Sequence, residues 1–112
     1  MPAYMIALNK RVHDLQKREA YWKVAGPTFE GWDSKALSIY TPVTPLELME
    51  PLEGVVLIEF PDVAAANAWY ESPAYQTAKQ HRDSAADTEF FIIDGGRVSA
   101  EDRLPHIRNP QA

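Results

Sequence analysis

The length, charge and composition of this chain restrict what kind of protein it encodes. Its 112 residues suit one domain, and the 46% hydrophobic share is typical of a folded globular protein. The net charge is −5, with no basic stripe for nucleic acid, and the lack of cysteine excludes disulfides and thiolate chemistry. No apolar run approaches the ~20 residues that cross a bilayer, and the first residues lack the pattern of a secretory signal. We therefore expect a cytoplasmic protein with neither a nucleic-acid nor a membrane partner.

The first part of the chain predicts a strand, a helix and a second strand. Residues 4–8 are apolar at both strand parities, which is typical of a strand covered on two sides. Asp14 is a suitable N-cap for a helix whose apolar stripe, at seven-residue spacing, comprises Leu15, Trp22 and Phe29. Gly26-Pro27 should kink or restart this helix, and residues 35–41 form the second strand.

The second part predicts a strand, two helices and a last strand. Residues 55–60 form the strongest strand, and Asp62 is a good N-cap for the helix that follows. Ser72-Pro73 starts another helix, because proline is favoured at the first helical position, and we expect this helix to reach about residue 83. Residues 88–93 form the fourth strand.

The order βαββαβ predicts an α+β, ferredoxin-like domain over residues 1–96. Its four-stranded antiparallel sheet carries the helices on one face. Three strands are apolar on both parities, so the second face should be buried against another subunit, which predicts a homodimer. Residues 97–112 are polar with two prolines, and we expect them to form an arm that wraps the partner subunit.

Several short motifs occur in a characteristic order. They are Glu59-Phe60-Pro61, Ala68-Trp69-Tyr70, SPAYQ at residues 72–76, and Arg82 ahead of a strand that ends in Asp94-Gly95. Over residues 3–95 this pattern resembles the family called domain of unknown function 1330, in the dimeric α+β barrel superfamily. The resemblance implies two subunits packed sheet to sheet, each with a cavity between its sheet and the partner, and it implies no mechanism. The chain departs from the family where prolines break the segment before Glu53-Gly54.

Glu59 is the first candidate for acid–base chemistry. Strand alternation groups it with Val55 and Leu57 on the barrel face, while the other parity lies under the helices. A carboxylate in an apolar cavity suits a general base or acid near neutrality. The alternative is that Glu59, one residue from the strand end, pairs with a lysine or arginine at the rim.

Tyr75 and Arg82 are the second candidate pair. They are seven residues apart and hence lie on nearly the same helix face, where they could present a phenol and a guanidinium to a ligand carboxylate or enolate. The alternative is that Tyr75 packs in the core and that Arg82 pairs with an acidic neighbour, either Asp83, Asp87 or Glu89.

Four further residues are candidate ligand contacts. Tyr40 and Ser38 share the strand parity that lines the cavity. Trp69 is also typical of a core or an interface, and His81 should face solvent or the sheet edge. The three histidines lack metal-ligand spacing, so we expect neither a metal nor another cofactor.

These residues favour a homodimer that binds a small organic molecule, either anionic or carbonyl-bearing. As an enzyme, it would perform cofactor-free acid–base chemistry such as isomerisation or enolisation. Glu59 would move the proton, while Arg82 and Tyr75 would stabilise the developing negative charge. The alternative is a non-catalytic ligand-binding or protein-interaction module whose cavity is filled by Met5, Leu57 and aromatic side chains.

Overall fold

A computed structural model describes residues 2–96 and 98–103 of the chain, the last of these for its backbone only. Its strands are β1 (Ala3–Val12), β2 (Lys35–Thr41), β3 (Val55–Phe60) and β4 (Ala86–Asp94). Its α-helices are α1 (Leu15–Ala25), α2 (Val63–Glu71), α3 (Pro73–Lys79) and the single turn α4 (Ala100–Arg103). A short 3₁₀ helix, Gly26–Phe29, continues α1, as the Gly-Pro pair predicts.

The four strands form one antiparallel sheet in the order β2-β3-β1-β4, which confirms the predicted ferredoxin-like fold. Met5 lies between Ile58 and Ile92, and the neighbouring Tyr4 lies between Glu59 and Ile93. Because successive strand residues point to opposite faces, these two rows belong to the two faces of the sheet. We call them the helix face and the outer face. Helices α1, α2 and α3 pack on the helix face.

The helix starts follow from local side-chain caps. The Asp14 carboxylate accepts a hydrogen bond from the Lys17 amide at 3.1 Å, and Asp62 accepts one from the Ala65 amide at 2.8 Å. Ser72 is likewise the N-cap of α3, whose first residue is a proline. These contacts satisfy amide groups that the first helical turn leaves without partners, so all three predicted starts are confirmed.

Two expectations about the helices are wrong. Leu15 is 62% exposed, whereas α1 buries Tyr21 and Ala25. Trp22 and Phe29, the other members of the predicted stripe, do pack against the core, so the expectation fails at Leu15. Helix α3 ends at Lys79, and turns occupy residues 80–85.

The core lies between the helix face and the helices, and it is dominated by aromatic rings. Trp69, Tyr75 and Phe60 are fully buried. The Trp69 ring stacks on Phe29 with a centroid distance of 4.4 Å and contacts the Tyr75 ring at 4.3 Å. Such pairs add packing energy to a large buried apolar area.

The outer face is also apolar, but it is less covered. Phe91 and Ile93 on β4 are 39% and 44% exposed, and Ile6, Leu8 and Leu57 are half-buried. The predicted arm falls mostly outside the described residues, because residue 97 and residues 104–112 are not described. In the described part, no helix is long and apolar enough to cross a membrane.

Candidate ligand-binding site

A small cavity lies between the helix face of the sheet and the helices. Its apolar wall includes Met5, Ala7, Val56 and several aromatic rings. Its polar lining is contributed by β1, α1, β2, the turn after α3, and β4: Asn9, Tyr21, Tyr40, Arg82 and Thr88. The space open to a water molecule is about 10 Å³, close to the room that one water needs.

Two residues of this lining, Arg82 and Tyr21, are linked through the buried hydroxyl of Tyr75. Arg82 Nη1 donates a hydrogen bond to the Tyr75 hydroxyl at 2.8 Å, and that hydroxyl lies 2.9 Å from the hydroxyl of Tyr21. Burial raises the pKa of both phenols above the ordinary value for tyrosine. Both groups therefore stay neutral near pH 7 and act as hydrogen-bonding groups.

Arg82 itself is held by the turn that follows α3. Its amide donates to the Lys79 carbonyl at 3.0 Å, and its carbonyl accepts from the Ala85 amide at 2.9 Å. The guanidinium lies 4.7 Å from the centroid of the Phe90 ring, which provides a favourable cation–π contact.

The charge of Arg82 has no carboxylate partner among the residues that the structure describes. The ion pairs there join Lys10 to Glu50 and Glu89, and His13 to Asp87. The interpretation in which Arg82 pairs with Asp83, Asp87 or Glu89 is therefore wrong. Two of these acids have other partners, and Asp83 forms no ion pair within the described part of the chain.

Tyr40 reaches the cavity because strand β2 is irregular. The pairing of β2 with β3 shifts on both sides of Ser38-Ile39, and Tyr40 has φ +53°, in the left-handed region. Its ring is then 5.9 Å from Trp22, and the Arg18 guanidinium lies 4.2 Å above it. Burial raises the pKa of Tyr40 to about 12.

Trp69 lines the cavity, but most of its ring packs against other aromatic rings of the core. It is 1% exposed, and its Nε1 donates to the hydroxyl of Thr28 at 3.0 Å. A buried indole N–H needs such a partner, so this bond fixes the ring orientation.

The structure separates the remaining candidates from this cavity. Glu59 lies on the outer face, next to Tyr4 and Lys35 across the strands, and its carboxylate forms no hydrogen bond or ion pair with a described residue. Ser38 pairs with Leu57 on that same face, and its hydroxyl donates to the Val55 carbonyl at 2.9 Å. His81 is exposed.

Two sequence interpretations need correction for this reason. Ser38 and Tyr40 do not share a face, because the bulge between them reverses the strand parity. Glu59 and Arg82 do not meet in one cavity, because α3 and its turn lie on the opposite side of the sheet from Glu59. The cavity described above is formed by one chain, between the helix face and the helices.

Sequence reasoning missed Asn9 and Tyr21. Asn9 is 2% exposed and belongs to the same strand parity as Met5 and Ala7, although it lies beyond the strand predicted at residues 4–8. The sequence did contain a signal for Asn9, because it follows Met5 and Ala7 at the alternate positions that face the core, where a polar residue is unusual. Tyr21 had the weaker signal of lying four residues before Ala25 on the buried side of α1.

The fold and this internal cavity define a ferredoxin-like α+β protein. The chain belongs to the family described as domain of unknown function (DUF1330), whose family model matches residues 2–96. This match confirms the resemblance inferred from the motifs. None of the curated proteins matches the chain.

Solved structures show the same fold at low identity. A protein of unknown function from Rhodopseudomonas palustris is 24% identical, with 87% of this chain and 84% of that chain covered and a TM-score of 0.60. A dimeric ferredoxin-like protein of unknown function from Jannaschia sp. CCS1 is 14% identical, with coverages of 85% and 100% and a TM-score of 0.60. An ethyl tert-butyl ether d (EthD) family protein from Bacillus halodurans is also 14% identical, with coverages of 86% and 100% and a TM-score of 0.59.

Proposed function

We propose that this protein binds a small organic anion in the cavity under its helices, with Arg82 as the anchoring cation. One observation carries the proposal. The guanidinium of Arg82 is half-buried at the cavity wall, without a carboxylate partner among the described residues, and it bonds to a neutral phenol. A partly desolvated charge gains free energy when it is paired, so an anionic ligand would stabilise it.

The chemistry of the wall suits a carboxylate or an enolate. Arginine has five N–H donors in a planar fork, and Tyr75 accepts a hydrogen bond from one nitrogen, Nη1. Remaining donors can bind two oxygens of one ligand group. A charge-assisted bond of this kind is stronger than a bond between neutral partners.

Entry of a ligand requires the aromatic wall to open. Trp22 and Phe29 separate the closed cavity from an open groove of about 450 Å³, which Trp32 and Ile39 also line. Both separating rings are half-buried. We propose that Trp22 moves towards the groove, so that the anionic end of the ligand reaches Arg82.

Ligand binding without catalysis has more support than acid–base isomerisation. The predicted base, Glu59, lies on the outer face of the sheet. The described residues that line the cavity include neither a carboxylate nor an imidazole that could take a proton from a ligand beside Arg82.

The test is a thermal-shift and tryptophan-fluorescence titration with benzoate and a series of small aliphatic carboxylates. A ligand at ~100 times its dissociation constant adds about 2.7 kcal/mol to the unfolding free energy. The shift should be present in wild type, lost in Arg82→Ala and retained in Arg11→Ala, which removes an exposed arginine outside the cavity. A set of carboxylates that leaves wild type unchanged, or an equal shift in Arg82→Ala, would overturn the anion site.

We further propose that the outer face of the sheet binds a second copy of the chain. Its support is the exposed apolar surface of Phe91 and Ile93, in a row that continues through Tyr4. The similar Jannaschia protein is described as dimeric. The arm at residues 97–112 would wrap the partner, and a truncated chain that ends at Gly96 should then form a weaker dimer.

A further inference from the structure

The side chain of Asn9 is a polar group of this cavity that the anion proposal does not use. Asn9 is 2% exposed and lines the cavity. Its backbone is fully engaged, because its amide donates to the Gly54 carbonyl at 2.9 Å and its carbonyl accepts from the Glu53 amide at 2.7 Å. Its side-chain Oδ1 is buried and accepts no hydrogen bond from any residue that the structure describes. A buried acceptor without a donor is unfavourable, and such groups are rare in folded proteins.

Asn9 and Arg82 line the same small space from different elements. Asn9 lies across from Thr88 on β4, and Phe90 is two residues further along the same face of that strand. The Arg82 guanidinium lies over the Phe90 ring. The cavity therefore presents a cation with hydrogen-bond donors together with an unoccupied acceptor.

The walls between these two polar groups are flat and apolar. The rings of Trp22, Phe29, Tyr40 and Phe90 line the cavity. With Trp22 in place the cavity has room for about one water, so a ligand ring would occupy the space that Trp22 leaves when it moves towards the groove. Phe29, Tyr40 and Phe90 would then contact that ring, and aromatic rings bind other rings favourably in stacked or edge-to-face contacts.

We propose that the ligand class of this site is a hydroxylated aromatic acid. Its carboxylate faces Arg82, and its hydroxyl donates a hydrogen bond to Asn9 Oδ1. This inference rests on the proposed anion site and adds the selectivity for a donor group. A site with a buried acceptor discriminates against an analogue that lacks the donor, because the acceptor would then remain unpaired in the complex.

Benzoate and the three monohydroxybenzoates are the probes, because they differ only in the presence and position of the hydroxyl. Their dissociation constants are measured by calorimetry and by tryptophan fluorescence with wild type, Asn9→Leu and Asn9→Ala. Asn67→Ala is the matched control, since it removes the side chain of an exposed asparagine outside the cavity.

In wild type, at least one hydroxybenzoate should bind about tenfold more tightly than benzoate, as expected for one added hydrogen bond. This ratio should fall to about one in Asn9→Leu or Asn9→Ala and persist in Asn67→Ala, while benzoate still binds to all four proteins. The second Asn9 variant keeps the test valid if the leucine impairs folding.

Two results would overturn the hydroxyl inference and leave the anion site intact. One is equal affinity of wild type for benzoate and all three hydroxybenzoates, which would mean that a bound water satisfies Asn9. The other is a hydroxyl preference that survives in both Asn9 variants. If none of the four acids binds to wild type, the anion site and the inference both fail for aromatic acids.

Discussion

The two faces of the sheet are built from the same kind of residue, and they differ in what covers them. On the helix face, Met5, Ile58 and Val56 are at most 2% exposed. On the outer face, Phe91 and Ile93 keep 39% and 44% of their surface exposed. A strand that is apolar on both parities needs two covers, and the described helices provide one. The comparison teaches that the polar cavity depends on the helices that cover the sheet. The buried hydrogen bonds and the raised pKa of the buried tyrosines both require that water is excluded.

The largest expected difference between the faces concerns Trp69. Trp69→Ala removes a fully buried ring and should lower the unfolding free energy by about 3–5 kcal/mol, a large share of the stability of a small domain. Urea denaturation measures this loss. Leu46→Ala is the control, because Leu46 is 92% exposed and should change stability by less than about 0.5 kcal/mol. Equal losses in both variants would contradict the helix-face core.

A charge on the outer face tests whether that face is an interface. Leu57 lies in the centre of its row, between Ile6 on β1 and Ser38 on β2. Leu57→Glu should convert the proposed dimer to a monomer, since an unpaired carboxylate is costly to bury. Analytical ultracentrifugation gives the mass, and Leu46→Glu in an exposed segment is the control. A wild type that is monomeric at all accessible concentrations would refute the interface.

Removal of the Tyr75 hydroxyl tests the hydrogen-bonded chain of Arg82, Tyr75 and Tyr21. Tyr75→Phe leaves Arg82 Nη1 and the Tyr21 hydroxyl without their shared partner, and it should cost about 1–3 kcal/mol. Tyr70→Phe removes a hydroxyl on a neighbouring ring that forms no hydrogen bond with a described residue. Its effect should stay within about 0.5 kcal/mol. Chemical denaturation of both variants under the same conditions decides whether the chain of hydroxyls contributes to stability.

The stability of the helix face should fall at alkaline pH. Burial raises the pKa of Tyr40 from 10.0 to about 12, so the folded state favours the neutral phenol. The sign follows from linkage: this contribution is fully present below about pH 10 and is lost as the pH rises towards 12. Tyr21 and Tyr75 act in the same direction. Urea denaturation at increasing pH should show that the unfolding free energy declines less steeply in Tyr40→Phe than in wild type. Identical declines would argue against ionisation of Tyr40 as the cause.

The smallest expected effect belongs to Glu59→Gln. Because Glu59 lies on the outer face, the affinity of the cavity for benzoate should change by less than about twofold, and stability by less than about 0.5 kcal/mol. Calorimetry measures the affinity of Glu59→Gln for benzoate, and Arg82→Ala, in which binding should be lost, is the positive control. A loss of binding in Glu59→Gln comparable to that in Arg82→Ala would show that the two faces are coupled.

Local patterns in the sequence predicted the elements and most of their ends. Asp14, Asp62 and Ser72 cap their helices as expected, since capping depends on a side chain and an amide only a few residues away. The alternation in residues 55–60 correctly assigned Val56, Ile58 and Phe60 to the buried face. The order of elements then restricts the topology to a ferredoxin-like sheet.

The sequence by itself therefore determined the strands, the helix starts, the fold and the family. Tertiary structure alone decided which polar residues share a cavity. The β2 bulges turn Tyr40 away from Ser38, and the turn after α3 directs Arg82 towards Tyr75 on the face opposite Glu59. The physical reason is range: caps and strand parity depend on neighbours in sequence, whereas a site depends on residues such as Asn9, Tyr21 and Arg82 that meet only when separate elements pack.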